Sequence, residues 1–246
     1  MSLEGAIRFG RYAFPPNQLG YCGPADSSAL LQYVASGSAD GGLLELARRF
    51  DGAYPYLCLI ARCNGLTDPL DEGVVEAYWL GNRLLSGVDA GSLHSSLRER
   101  FARRMTRAEF SWLLPKLEAG ARPHHNFHVF DIYLRAGLMR DGRADRALEV
   151  MDSCRVSWGT VTALEPGRLL LRRRPLVYAG GRLGLAPAQH VFVTRAEGGL
   201  GLVSEVSVGD RVAVHWNWAC ERLDSGRLRA LQVATRRCLL LANQTM

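Results

Sequence analysis

The stretch that decides the fold is Gly209-Asp210-Arg211-Val212-Ala213-Val214-His215-Trp216-Asn217-Trp218. Side chains alternate between the two faces of a β-strand. Val212, Val214, Trp216 and Trp218 therefore share one face, the buried one, and Arg211, Ala213, His215 and Asn217 share the other. His215 stands on the polar side of a strongly apolar strand, held by rigid neighbours and free to ligate or titrate.

Further short, often alternating segments lie upstream, at 156–163, 169–173, 176–178 and 190–194. Gly180-Gly181, Gly198-Gly199 and Gly209-Asp210 supply the turns. Five short strands in so little chain predict a small closed or partly closed barrel. The segment 225–242 follows as an amphipathic helix with Leu228, Leu231, Ala234, Cys238 and Leu241 on one face.

Before residue 152 the period is helical. Pro24-Ala25-Asp26-Ser27 reads as a helix start, and Leu43, Leu44, Leu46, Ala47 and Phe50 repeat at helical spacing. Further helices are expected at 72–85, at 127–138 and at 144–151. Thr106-Arg107-Ala108-Glu109 is a capping box ahead of Phe110, Trp112, Leu113 and Leu114. The expected class is α+β multidomain: residues 1–151 an all-α domain of six or seven short helices, residues 152–246 the barrel with its C-terminal helix.

Charge follows the same division. Residues 1–150 hold 17 basic and 17 acidic side chains, and residues 151–246 hold 13 and 7, so the whole net charge of +6 lies in the second part. That asymmetry favours an acidic partner. The arginines are scattered, and the one cluster, Arg172-Arg173-Arg174, has no interleaved aromatics, so nucleic acid is not expected. No apolar run is long enough to span a bilayer, and the first residues lack the pattern of a secretory signal. A cytoplasmic protein with no membrane partner is expected, its six cysteines thiols.

Cys154 sits at the start of the first expected strand, Cys154-Arg155-Val156-Ser157-Trp158-Gly159-Thr160-Val161. Partial exposure there and the adjacent Arg155 would favour a thiolate. One thiolate and one imidazole suit a soft or borderline transition metal, and two protein ligands leave coordination sites open.

These two segments resemble the HypC (HupF) family of nickel–iron hydrogenase maturation chaperones. Family members begin C-x-x-x-P-G-x-V and later carry G-D/Q-x-V-L-V-H-x-G-F, a short acidic stretch and a helix. Here Cys154 to Val161 match the first motif, Gly209 to Trp218 the second, and Glu221-Arg222-Leu223-Asp224 the acidic stretch. This chain departs from the pattern in that Cys154 is internal, Trp158 replaces the proline, and Asn217 stands where the family has glycine. The resemblance covers the C-terminal third. It implies an OB-like barrel and a chaperone or assembly factor rather than an enzyme. It also implies that Cys154 and His215 transiently hold iron as a cyanide- and carbonyl-ligated fragment. Its partners would be the hydrogenase large-subunit precursor or other maturation proteins. The whole chain is also similar to an uncharacterised actinobacterial family associated with hydrogenase genes.

The first part has its own reactive residues. Cys22 in Tyr21-Cys22-Gly23-Pro24, with Gln18 upstream and His124, His125 and His128 downstream, is similar to the site of a papain-like cysteine hydrolase. A cysteine at a helix start would be activated by the helix dipole. His124 and His128, four apart, could also share a helix face and ligate a metal with Cys22. The plainer reading is that Phe127, Val129 and Phe130 are core and the histidines cap the helix.

Overall fold

The computed structural model describes residues 2–25, 27–102, 105–132 and 144–244. Its first helix, α1 (Leu3–Gln18), was not expected from the sequence. Nearly every residue from Gly5 to Asn17 is buried, and Gly5, Gly10 and the Pro15-Pro16 pair are residues whose local propensity speaks against a helix. Close packing needs Gly5, because a Cβ there would overlap the Leu70 carbonyl. Pro15 and Pro16 lie in the last turns of α1.

Helices α2 (Ser28–Ser36), α3 (Gly41–Arg48) and α5 (Glu72–Trp79) pack on α1, and α4 (Tyr54–Cys63) packs on α5. A 3-10 turn (Arg83–Gly87), α6 (Ala90–Phe101) and α7 (Arg107–Glu118) follow, α7 opened by the expected capping box of Thr106 and Glu109. The short α8 (His125–Phe127) runs into a π-helical stretch at 128–132. The remainder of the helix expected at 127–138 lies outside the described residues, as does Asp26 of the expected helix start. Next comes α9 (Ala144–Cys154).

The strands are β1 (Ser157–Glu165), β2 (Arg168–Arg173), β3 (Leu176–Ala179), β4 (Arg182–Leu185), β5 (Gln189–Thr194), β6 (Ala196–Glu197), β7 (Leu200–Gly201), β8 (Arg211–His215) and β9 (Trp218–Arg222). A closed barrel forms in the order β1-β2-β5-β9-β8, with β8 returning to β1. The segment expected at 176–178 is not a barrel strand, since β3 pairs with β4 as a separate hairpin. The fifth barrel strand is instead β9, because the run expected at 211–218 folds back on itself. Trp216 and Asn217 have φ of 46° and 65°, the left-handed pair of a two-residue type I′ turn, and His215 pairs directly with Trp218. Helix α10 (Ser225–Ala242) closes the described chain as expected.

The alternation on β8 is as the sequence predicts, but both faces are buried. Val212 and Val214 fill the barrel with Val161, Leu169, Leu171, Val193 and Ala219. Ala213 and His215 face the helices, and Ala213, Trp218 and Cys220 belong to the same apolar core as α1 and α5. Trp218 packs edge-on against Phe14 of α1, with ring centroids 5.3 Å apart.

One ion-pair network crosses this joint. Arg8 on α1, 2% exposed, bonds Glu221 on β9, 6% exposed, through Nη2 to Oε1 at 3.1 Å and Nε to Oε2 at 3.2 Å. Tyr12 donates its hydroxyl to Glu221 Oε2 at 3.2 Å, and Arg8 Nη1 reaches Glu72 at 3.1 Å. Arg227 adds a second guanidinium, bonding Glu76 at 2.8 Å. Burial is the largest influence and disfavours the Arg8 charge, but the attraction and hydrogen bonds of Glu221, together with Glu76, raise the Arg8 pKa. Glu221 opens the acidic stretch, and the fold-back at residue 216 turns it inward. Glu221→Gln leaves the Arg8 charge under-compensated, and a loss of about 3 kcal/mol is expected in urea unfolding. A loss near zero would show that water reaches the pair.

Candidate metal centre

His215 ends β8 on the helix-facing side and is 1% exposed. Its Nδ1–H donates to the Tyr12 carbonyl at 2.7 Å. That carbonyl is available because its helical donor would be the N–H of residue 16, which is proline. The Nδ1–H tautomer leaves Nε2 as a bare lone pair, and this buried atom has no hydrogen-bond partner.

Cys154 is the last residue of α9 and not the first of a strand, since β1 begins at Ser157. The final carbonyls of a helix need partners from elsewhere. Here the Trp216 N–H takes Ser153 O at 2.8 Å, Arg173 takes Asp152 O at 2.8 Å, and His125 Nε2 takes Cys154 O at 2.7 Å. Arg155 does not activate the thiol as expected, because its guanidinium bonds Asp152 at 2.8 Å and the Arg174 carbonyl at 2.6 Å. Burial pushes the Cys154 thiol up to about 12, against a lowering contribution from Trp216.

His125 opens α8. Its Nε2 lies 3.9 Å from Cys154 Sγ, and its Nδ1 lies 3.2 Å from the Tyr78 hydroxyl. Since Nε2 donates to a carbonyl, Nδ1 accepts from Tyr78. The rings of His125 and His215 have centroids 4.9 Å apart, and Trp79 flanks both. One ligand atom from each of His125, Cys154 and His215 falls within 4.8 Å of the others, the one such cluster of three among the described residues. Burial lowers His215 to about 4, opposed by its bond to the Tyr12 carbonyl and by the nearby Cys154 carbonyl, which makes no hydrogen bond of good geometry with Nε2. Burial, aided by the neighbouring His215, holds His125 well below its ordinary value. Both imidazoles are neutral near pH 7, the form that ligates metal.

The loop between α1 and α2 covers this group. Tyr21 stacks on Trp216 with centroids 4.1 Å apart, and Asn17 Nδ2 pins the loop through the carbonyls of Cys22 at 2.8 Å and Pro24 at 2.6 Å. Cys22 lies near enough that its negative charge would raise the Cys154 thiol. It is not at a helix start, since α2 begins at Ser28, and burial pushes its own thiol up to about 12. Gln18 is on the surface, bonded to Glu197 at 3.0 Å.

The other two histidines point elsewhere. His124 accepts the Asn126 N–H at 3.0 Å through Nδ1, which is the capping role the sequence suggested. His128 meets the Tyr56 hydroxyl at 3.3 Å. Burial lowers His124 to about 4 and His128 to about 3. The set of Cys22, His124 and His128 is therefore not assembled. His125, read from sequence only within a hydrolase, is the histidine that joins Cys154 and His215. The adjacent Pro123-His124-His125 run marked the region, but no local spacing separates one histidine from the next.

Two measurements follow. Pro16→Ala restores an N–H that competes for the Tyr12 carbonyl, so ¹⁵N imidazole spectra should show His215 shifting from pure Nδ1–H to a mixture of tautomers. An unchanged spectrum would mean that the proline does not set the tautomer. The folded-state pKa of His124 lies below its unfolded value of 6.5. The unfolded chain therefore takes up the proton first. The stability from neutral His124 is whole above pH 6.5 and is lost as pH falls toward 4, by up to about 3 kcal/mol. His124→Asn should flatten that part of the urea-midpoint profile; an identical acid slope in the variant would remove His124 as its cause.

No curated protein and no solved structure matches the chain. One family model matches residues 1–246, so helical half, barrel and the ligand cluster between them fall within a single family unit. The chain belongs to that family, described as a family of unknown function, DUF6390.

Proposed function

We propose that this protein is an accessory factor of nickel–iron hydrogenase assembly that holds a transition metal through Cys154 and His215. The observation that carries the reading is the convergence of these two residues, distant in sequence, with the buried and unpartnered His215 Nε2 between them and the helical half. A soft thiolate with neutral imidazoles suits iron in a low-valent, strongly ligated fragment. Few protein ligands leave positions for cyanide and carbonyl, and the burial of His215 keeps water from the metal side of its ring. Barrel order β1-β2-β5-β9-β8, with β5 and β9 parallel, supports the OB-like reading of the second part. The protein acts as carrier or chaperone, and the iron fragment is its cargo.

The outer face of α10 supports an acidic protein partner, such as the large-subunit precursor or another maturation factor. Exposed Arg229, Arg236 and Arg237 have no ion-pair partner among the described residues, and Val233 and Leu240, 63% and 59% exposed, lie between them. Arg227 on the same helix is by contrast occupied by Glu72, Glu76, Glu221 and Asp224. The cysteine-hydrolase alternative gains no such support, since Cys22 is protonated and Gln18 is held by Glu197.

Expression in the native host tests this. Cys154→Ala and His215→Ala should each abolish hydrogenase activity while the protein still accumulates, and anaerobically purified wild type should show cyanide and carbonyl infrared bands. Arg229→Glu with Arg236→Glu should weaken co-purification of the precursor by about tenfold. Full hydrogenase activity with both alanine variants would overturn the proposal.

A further inference from the structure

The reading above uses two ligands, both from the C-terminal motifs. We infer that the helical half supplies a third, His125 Nε2, so that the metal is held between the two halves of the chain. This inference rests on the metal-binding role of Cys154 and His215 and adds to it.

The geometry is near what a metal needs. Bonds of roughly 2.0 to 2.3 Å in a tetrahedral site place ligand atoms about 3.3 to 3.8 Å apart. His125 Nε2 and Cys154 Sγ are already 3.9 Å apart, and the widest separation in the trio, within 4.8 Å, closes by about 1 Å of side-chain movement. His215 Nε2 is the second, independent sign: a ring nitrogen 1% exposed as a residue, with no hydrogen-bond partner, beside a thiol and another imidazole. Leaving such an atom unpaired is unfavourable, and a metal bond would satisfy it.

His125 must change tautomer to join. Its Nε2–H now donates to Cys154 O at 2.7 Å. When Nε2 turns its lone pair to the metal, the proton sits on Nδ1, where the Tyr78 oxygen accepts it. The Tyr78 hydroxyl then donates to the Gly52 carbonyl, already 3.5 Å away. Cys154 loses its thiol proton to solvent. A divalent ion thus binds with release of one proton, and no oxidant or reductant is needed. The Cys154 carbonyl loses its cap from His125 in exchange, so binding also loosens the end of α9. A fourth position stays open for ligands carried on the metal.

The test is anaerobic titration of the full chain with Co²⁺, a spectroscopic stand-in for Fe²⁺. Wild type is expected to bind one ion with a thiolate-to-cobalt charge-transfer band. X-ray absorption of the loaded wild type should give one sulfur and two imidazoles. His125→Gln, which can still cap Cys154 O, should keep the charge-transfer band and bind at least about tenfold more weakly. One imidazole by absorption, or wild-type affinity in His125→Gln, overturns the inference while Cys154 and His215 stand. Unchanged binding in Cys154→Ser and His215→Gln, or no cobalt binding at all, overturns it together with the reading on which it rests. The wild-type absorption result decides the matter even if the glutamine variant fails to fold.

Discussion

The buried pair of Arg8 and Glu221 is the constraint on which the rest of the structure depends. It joins α1, a largely buried helix, to β9 of the barrel. Two charges out of water are tolerated only when each is well bonded. Here Tyr12, Glu72, Glu76 and Arg227 complete the network. With α1 fixed in this way, the Tyr12 backbone lies against the end of β8. The same residue then serves both halves, its hydroxyl on Glu221 and its carbonyl on His215.

The candidate centre grows from three chain ends with unmet backbone groups. Pro16 leaves the Tyr12 carbonyl without a helical donor, and His215 fills it. The end of α9 leaves carbonyls open, and Trp216 and His125 fill them. Asn126 beside His125 clamps the next piece of chain, taking the Val156 N–H at 2.9 Å and donating to the Val156 carbonyl at 3.0 Å. Ordinary satisfaction of backbone hydrogen bonds thus aims two imidazoles and a thiol at one point. The same burial that makes these bonds necessary keeps the imidazoles neutral and the cysteine protonated.

The division of net charge takes a physical shape in α10. Its first turns spend Arg227 on the internal network, while Arg229, Arg236 and Arg237 remain on the surface among apolar side chains.

The sequence alone determined what local pattern can determine. Alternation on 211–215 marked a strand with His215 opposite Val212 and Val214, and helical period with capping residues located α7 and α10. The pairing of Cys154 with His215 was legible because each lies in a short motif. Tertiary structure decided what depends on burial from all sides. Helix α1 carries two glycines and a proline pair that local propensity reads against a helix, and its packing overrides them. The reversal at Trp216 and Asn217 lacks the glycine that announces such a turn, so one long strand was read where two exist. His124, His125 and His128 are chemically equal in sequence. Only packing against Tyr78, Trp79 and the end of α9 turns His125 toward the thiol while its neighbours cap a helix or meet Tyr56.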